Sequence, residues 1–203
     1  MTPDLLIAAV AGYLLGSVPF GLVLTKAAGL GDIRAIGSGN IGATNVLRTG
    51  RKGLALLTLL LDGGKGAAAV GLAWAFLDPA MMPLAGFAAV LGHNFPVWLK
   101  FKGGKGVATS AGTLMACSWP AGLACLLTWV AMAAIFRISS LAALVSLALA
   151  PVYGWLAGGP EVGLMALGLG VLGIVRHHAN IRRLLKGEEP RIGRKKGPAK
   201  SVI

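Results

Sequence analysis

The sequence predicts an all-α, polytopic integral membrane protein with seven transmembrane helices, the N-terminus out and the C-terminus in. Three observations carry this expectation. The first is composition: of 203 residues 56% are hydrophobic and only 13% charged, and 31 are glycine, a residue more frequent in transmembrane than in soluble helices. Mean hydropathy is +0.76. The second is length: apolar runs of about eighteen residues or more recur along the chain, enough to cross roughly 30 Å of hydrocarbon. The third is charge placement. Eighteen of the nineteen Lys and Arg residues follow alternate apolar runs, while the opposite loops hold Asp78 and Glu161 and no Lys or Arg. Cationic loops stay in the cytoplasm, which sets the orientation.

The first span, Leu5–Leu24, is preceded by Asp4 rather than by a basic segment, so it reads as an uncleaved helix ended by Lys26. Residues 27–52 form a polar stretch. The second span, Leu54–Leu77, is interrupted by Asp62-Gly63-Gly64-Lys65-Gly66. The third, Met81–Leu99, carries His93 and Asn94 near its end. A lysine–glycine loop, Lys100–Thr109, leads to a fourth span, Val107–Cys117, too short to cross unaided. Trp119–Phe136 is the fifth, Ile138–Leu156 the sixth, kinked at Pro151, and Val162–Val175 the seventh. Residues 1–187 thus read as one membrane domain with a cytoplasm-facing site. Residues 188–203, charged and containing Gly and Pro, read as a flexible basic tail.

Polar stretches follow spans one, three and seven, and odd-numbered exits place all three on the cytoplasmic face. In the first, glycines accompany Ser38, Asn40, Thr44 and Asn45, and Arg48 offers a planar fork suited to phosphate. In the second, Gly103 and Gly104 let the backbone approach a ligand, and Lys105 adds a cation among them. Lys100 and Lys102, alternating with Phe101, read as charges at the lipid headgroups. In the third, His177 and Asn180 are three apart and share a helix face, with Arg176 and Arg183 near it; His178 points elsewhere. Within span two, Asp62 and Lys65 form an i, i+3 pair expected to neutralise each other and brace the helix beneath the site. His93 reads as a helix–helix hydrogen bond or a wall of the site.

Several function classes are excluded. A net charge of +12 suits cytoplasmic membrane loops better than a nucleic-acid partner, because no soluble basic domain exists to hold one. Gly37-Ser38-Gly39-Asn40-Ile41-Gly42 fits a dinucleotide fingerprint in letters but lacks the flanking strands. Lys105 is followed by Gly106, so the loop is no Walker A sequence. Cys117 and Cys125, without a His at ligand spacing, read as small hydrophobes. No metal-ligand cluster and no Ser-His-Asp arrangement is expected, so a protein nucleophile has little support. A phosphate transporter remains a second reading, weakened by the one-sided polar groups and the lack of an inverted repeat. A binding-only membrane scaffold, the third reading, leaves the clusters unexplained.

At this point the residues match a known family. Gly37–Asn45 with Arg48, Gly92-His93-Asn94-Phe95 leading into Phe101–Thr109, and Arg176-His177 with Asn180-Ile181 and Arg183-Leu184 resemble the three motifs of the bacterial acyl-phosphate:glycerol-3-phosphate acyltransferases, the PlsY family. Gly16-Ser17-Val18-Pro19-Phe20-Gly21 is also similar. The resemblance implies a seven-helix enzyme of the bacterial inner membrane at the first step of phospholipid biosynthesis. It would move an acyl group from acyl phosphate to the 1-hydroxyl of glycerol 3-phosphate, giving lysophosphatidic acid and phosphate, with no cofactor and no metal. By motif position, Ser38, Arg48, Lys105, His177 and Asn180 look like the phosphate-binding set, and Asn40, Thr44, Asn45, Gly103 and Gly104 would line the same pocket. The expected mechanism is direct attack by the glycerol hydroxyl, with Lys105 and Arg48 neutralising charge and either His177 or a donor phosphate oxygen taking the proton. A soluble acyl-phosphate synthase is the implied upstream partner.

Overall fold

Proline and glycine decide where the apolar runs break. In the computed structural model, which describes residues 3–193, every regular element is helical. The first run divides into α1 (Pro3–Gly16) and α2 (Phe20–Ala27). Pro19 has no N–H to continue the ladder and disfavours helical dihedrals at Val18. Ser17 Oγ closes α1 by donating to Leu14 O at 2.7 Å. The first polar stretch is partly helical, with a 3₁₀ turn at Ile33–Ala35 and a short α3 (Ala43–Leu47).

Helix α4 (Lys52–Phe76) runs unbroken through the Asp62–Gly66 segment, where the sequence suggests an interruption. The glycines there serve close packing instead. A Cβ on Gly66 would collide with Thr109 of the crossing helix α6 (Val107–Cys117), and one on Gly112 of α6 would strike the Gly63 backbone. Small residues that let two backbones touch are the usual means of helix association in lipid. Helix α5 (Met82–Asn94) ends before a 3₁₀ turn at Val97–Leu99. Helices α6 and α7 (Trp119–Phe136) have the expected bounds.

Helix α8 (Ser139–Arg176) covers 38 residues but reverses at Gly159, φ 83° and ψ −179°, a region open to glycine and closed to other residues. Its arms, 139–158 and 160–176, lie antiparallel: Leu147 packs on Gly170 and Gly173, and Gly154 on Ala166. At Pro151 the backbone keeps helical dihedrals, and only Gly159 leaves them. A membrane helix absorbs the loss of one N–H at a proline, whereas a full reversal requires a glycine. A final helix, α9 (His178–Leu185), follows at once.

Five stretches are long and apolar enough to cross a membrane: Pro3–Ala27, Lys52–Phe76, Pro79–Leu99, Trp119–Phe136 and Ser139–Arg176. Large side chains such as Leu60, Trp74, Leu127, Leu156 and Leu164 point outward, while Val90, Leu114, Ala150, Ala166 and Leu169 fill the interior between α5, α6, α7 and α8. Residues 188–193, expected in a flexible tail, fold back on the α7–α8 turn. Ile192 N donates to Arg137 O at 2.6 Å, and Arg137 Nη2 donates to Ile192 O at 3.1 Å. Residues 194–203 of that tail lie outside the described residues.

The close crossing of α4 and α6 makes a direct prediction. Gly112→Ala should destabilise the detergent-purified protein by about 1–3 kcal/mol through overpacking. Gly71→Ala, with open space around that Cα, should be neutral or slightly stabilising. Thermal unfolding checks both; equal effects would contradict the packing account.

Candidate functional site

The lysine–glycine loop is placed by its backbone. Lys100 and Phe101 adopt left-handed conformations, φ 52° and 61°, each a strained choice for a non-glycine residue. This turn brings the chain back along the end of α5. Gly103 N then donates to Asn94 O at 3.2 Å and Gly104 N to His93 O at 3.0 Å. Arg176, at the end of α8, grips the same two peptides from the other side. Its Nε donates to Gly104 O at 3.0 Å and its Nη2 to Gly103 O at 2.9 Å. Its guanidinium also stacks on Phe95, 5.1 Å from the ring centroid. The N–H groups of Gly103 and Gly104 are therefore engaged with α5. Their glycine character serves close approach: a Cβ on Gly103 would strike the His93 carbonyl, and one on Gly104 would land on the His93 ring.

Lys105 emerges from this clamped loop. Its Nζ donates to Asn180 Oδ1 at 2.6 Å, and Asn180 Nδ2 donates to Glu189 Oε1 at 2.5 Å. An ammonium only donates and a carboxylate only accepts, so the Asn180 amide can face one way only. Glu189 also accepts from Ser140 Oγ at 2.7 Å and Arg183 Nε at 2.6 Å. Burial pushes its carboxyl up, but the hydrogen bonds from Ser140, Arg183 and Asn180 prevail and hold it below the usual range. Burial pulls the Lys105 ammonium down to about 8, against the attraction of Glu189 and together with repulsion from Arg183, Arg48 and Arg176.

His177 follows α8 and is 2% exposed. Its Nδ1 sits 2.7 Å from Gly173 O, and a carbonyl only accepts, so Nδ1 carries the proton and Nε2 presents a lone pair. Burial, chiefly, lowers its pKa to about 4, with Lys105 and Arg176 adding to the effect and the Gly173 carbonyl and Glu189 opposing it. In the unliganded site the ring is thus neutral at pH 7, with Nε2 able to accept a hydrogen bond.

The first polar stretch is organised by Asn45, which is 1% exposed. Its Nδ2 donates to the carbonyls of Ile33, Ile36 and Asn40 at 3.0, 3.0 and 2.8 Å, and its Oδ1 accepts from Ser38 N at 3.0 Å. Every polar side-chain atom of Asn45 is used in shaping the loop. Arg48 Nη1 reaches the same Oδ1 at 3.3 Å, and its stem covers Gly37. Ser38 and Arg48 are exposed, and the Ser38 hydroxyl makes no hydrogen bond among the described residues. Asn40 Oδ1 turns inward to Gly42 N at 3.4 Å, and Thr44 Oγ1 lies 3.4 Å from Ser139 Oγ at the start of α8. Leu99, just before the lysine loop, packs on Leu22, Ile33, Ile41 and Val46 beneath this stretch. All three polar stretches therefore meet at one end of the bundle.

Asp62, Lys65 and His93 lie deeper, at 2%, 3% and 4% exposure. Lys65 Nζ is 2.9 Å from Asp62 Oδ1 and donates to Val18 O, at the α1–α2 break, at 2.7 Å. Lys100, Lys102 and His178 are exposed, away from the Lys105–Asn180 contact. Among the described residues no three His, Cys, Asp or Glu side chains gather at metal-binding distance. Sequence reasoning missed two participants. Glu189 was assigned to the tail, although Glu188-Glu189 are the only acids after Glu161 in a strongly basic end. Arg176 was placed near the site, but its part as the clamp on Gly103 and Gly104 follows only from the fold.

Comparison with known proteins bears on this arrangement. The sequence profile of a family described as glycerol-3-phosphate acyltransferase matches residues 6–187. A glycerol-3-phosphate acyltransferase of Paramagnetospirillum magneticum is 71% identical over 193 residues, covering 95% of this chain and 96% of that protein. One from Rhodospirillum rubrum is 62% identical over 201 residues, covering 95% and 93%. The crystal structure of PlsY, an integral membrane glycerol 3-phosphate acyltransferase, in its glycerol 3-phosphate form superimposes with a TM-score of 0.87 at 42% identity, covering 93% of this chain and 96% of that one. Its lysophosphatidic acid form gives 0.85 at 41% identity, covering 93% and 95%. With apolar helices in the same arrangement as that multi-pass protein, this chain belongs to the glycerol-3-phosphate acyltransferase (PlsY) family of integral membrane enzymes.

Proposed function

We propose that this protein transfers a fatty acyl group from acyl phosphate to the 1-hydroxyl of glycerol 3-phosphate, releasing inorganic phosphate and lysophosphatidic acid. The observation that carries the reading is the meeting of Lys105, Asn180 and neutral His177 within the field of Arg48. Both substrates are phosphates, and two anions held side by side require several cations and directed donors. Lys105, Arg48 and Ser38 form the phosphate-binding set, with Asn180 fixing the ammonium. Reading α6 and both arms of α8 as crossings gives seven spans. With the cationic loops kept inside, the site would face the cytoplasm from a bacterial inner membrane, where a soluble acyl-phosphate synthase would deliver the donor.

In the proposed reaction the glycerol oxygen attacks the acyl carbonyl carbon and the bond from that carbon to the phosphate oxygen breaks. His177 Nε2 accepts a hydrogen bond from the hydroxyl and orients it. In the unliganded site burial holds the His177 pKa down to about 4, which favours an oxygen of the departing phosphate over His177 as the proton acceptor in this proposal. The donor is already an activated mixed anhydride, so positioning supplies much of the rate and no acyl-enzyme is needed.

The decisive assay combines detergent-purified protein, acyl phosphate and glycerol 3-phosphate. Release of one phosphate per lysophosphatidic acid formed supports the reading. Absence of product with acyl phosphate, together with phosphate flux in liposomes, would replace it with transport. His177→Ala should reduce kcat/KM for glycerol 3-phosphate about 3- to 10-fold, mainly through KM, as expected for one lost hydrogen bond to a neutral hydroxyl. A collapse confined to kcat would make His177 the base. Lys105 is charged below about 8 and neutral above it, so affinity for glycerol 3-phosphate should hold near pH 7 and fall as pH rises through that value. The fall should be at most about tenfold per pH unit. Lys105→Arg should abolish this dependence.

A further inference from the structure

We propose that Asp62 and His93 are positioning residues for Lys105, coupling the middle of α4 to the loop that carries the ammonium. The inference deepens the reading of Lys105 as a phosphate ligand and rests on it. A carboxylate buried in an apolar helix is retained only with partners, and Asp62 has two: Lys65 Nζ at 2.9 Å and His93 Nδ1 at 3.6 Å. Lys65 in turn holds the Val18 carbonyl, so the carboxylate sits at a fixed point of the α1–α4 packing. His93 spans from that point to the loop. Its Nδ1 faces Asp62, and its Nε2 edge occupies the space a side chain at Gly104 would need. The main chain repeats the connection, because His93 O accepts from Gly104 N at 3.0 Å. Lys105 is the next residue.

At 3.6 Å the Asp62–His93 contact is too long for a hydrogen bond; His93 Nδ1 has no other partner among the described residues, and Asp62 Oδ1 has only the Lys65 ion pair. A shift of the ring by roughly half an ångström would form the bond. Because the ring abuts Gly104 and His93 O accepts from Gly104 N, the same shift would make room for the loop to follow toward Asp62. Arg176 holds the opposite side of the same peptides, which confines that motion to one direction.

The test is a size-exchange cycle read by glycerol 3-phosphate affinity and thermal unfolding. Gly104→Ala places a methyl on the His93 ring, while His93→Asn keeps an amide facing Asp62 and removes the ring edge that touches Gly104. We expect Gly104→Ala to weaken binding at least about tenfold and His93→Asn about three- to tenfold. The double variant should bind better than Gly104→Ala alone; affinity at the product of the two single losses overturns the proposal. Where Gly104→Ala yields no folded protein, recovery of folded protein in the double variant supports the proposal and its absence overturns it. Asp62→Asn should weaken binding in the wild type and add nothing in His93→Ala; additive losses count against it. A wild type that binds no glycerol 3-phosphate would sink the site reading instead, and the same cycle read on inorganic phosphate would then decide the positioning.

Discussion

One hydrogen bond organises the site: Lys105 Nζ to Asn180 Oδ1, across 75 residues of sequence and between two of the three polar stretches. A lysine ammonium half-withdrawn from water at the end of a helix bundle is costly to hold charged. Asn180 stabilises it, and Glu189 orients Asn180 by accepting from the other end of the amide. Remove that orientation and the amide can turn its NH₂ toward the ammonium. The carboxylate also balances a ring of cations, Arg48, Arg176 and Arg183, that would otherwise repel Lys105.

Around this contact most of the polar atoms are already bonded to protein. Asn45 ties together the first stretch, Arg176 clamps the second, and Glu189 closes the third. The glycines that look like a phosphate cradle are places where backbone meets backbone or ring. In the proposed reading, the groups offered to a ligand among the described residues are the Ser38 hydroxyl, the Arg48 guanidinium, the Lys105 ammonium and the Nε2 lone pair of His177. Preorganisation of this kind lowers the entropic cost of aligning two substrates, and it would suit the proposed transfer from an already activated donor.

The fold was legible where apolar runs end sharply. Gly106, Trp119 and Arg137 bound α6 and α7 where the sequence places them. It was not legible where a helix meets a partner. The Asp62–Gly66 segment has the letters of a break, but α6 crosses there and uses its glycines as contact surface. Pro151 is a more conspicuous signal than Gly159, yet the reversal falls on the glycine because only glycine reaches φ 83° freely. In the site, residue type revealed which groups lie on one face. It could not reveal that Asn45 is consumed by its own loop, which depends on how that loop closes, or that Glu189 returns from the tail to Ser140, Asn180 and Arg183, which depends on a contact distant in sequence.

The central claim is that Lys105 and Asn180 act as one unit. A double-mutant cycle with Lys105→Gln and Asn180→Ala, read by glycerol 3-phosphate affinity in detergent, measures this directly. The account predicts that each single variant binds more weakly and that the double variant is no worse than the weaker single. A double variant whose loss equals the product of the two single losses would show that the side chains act independently, and would contradict it.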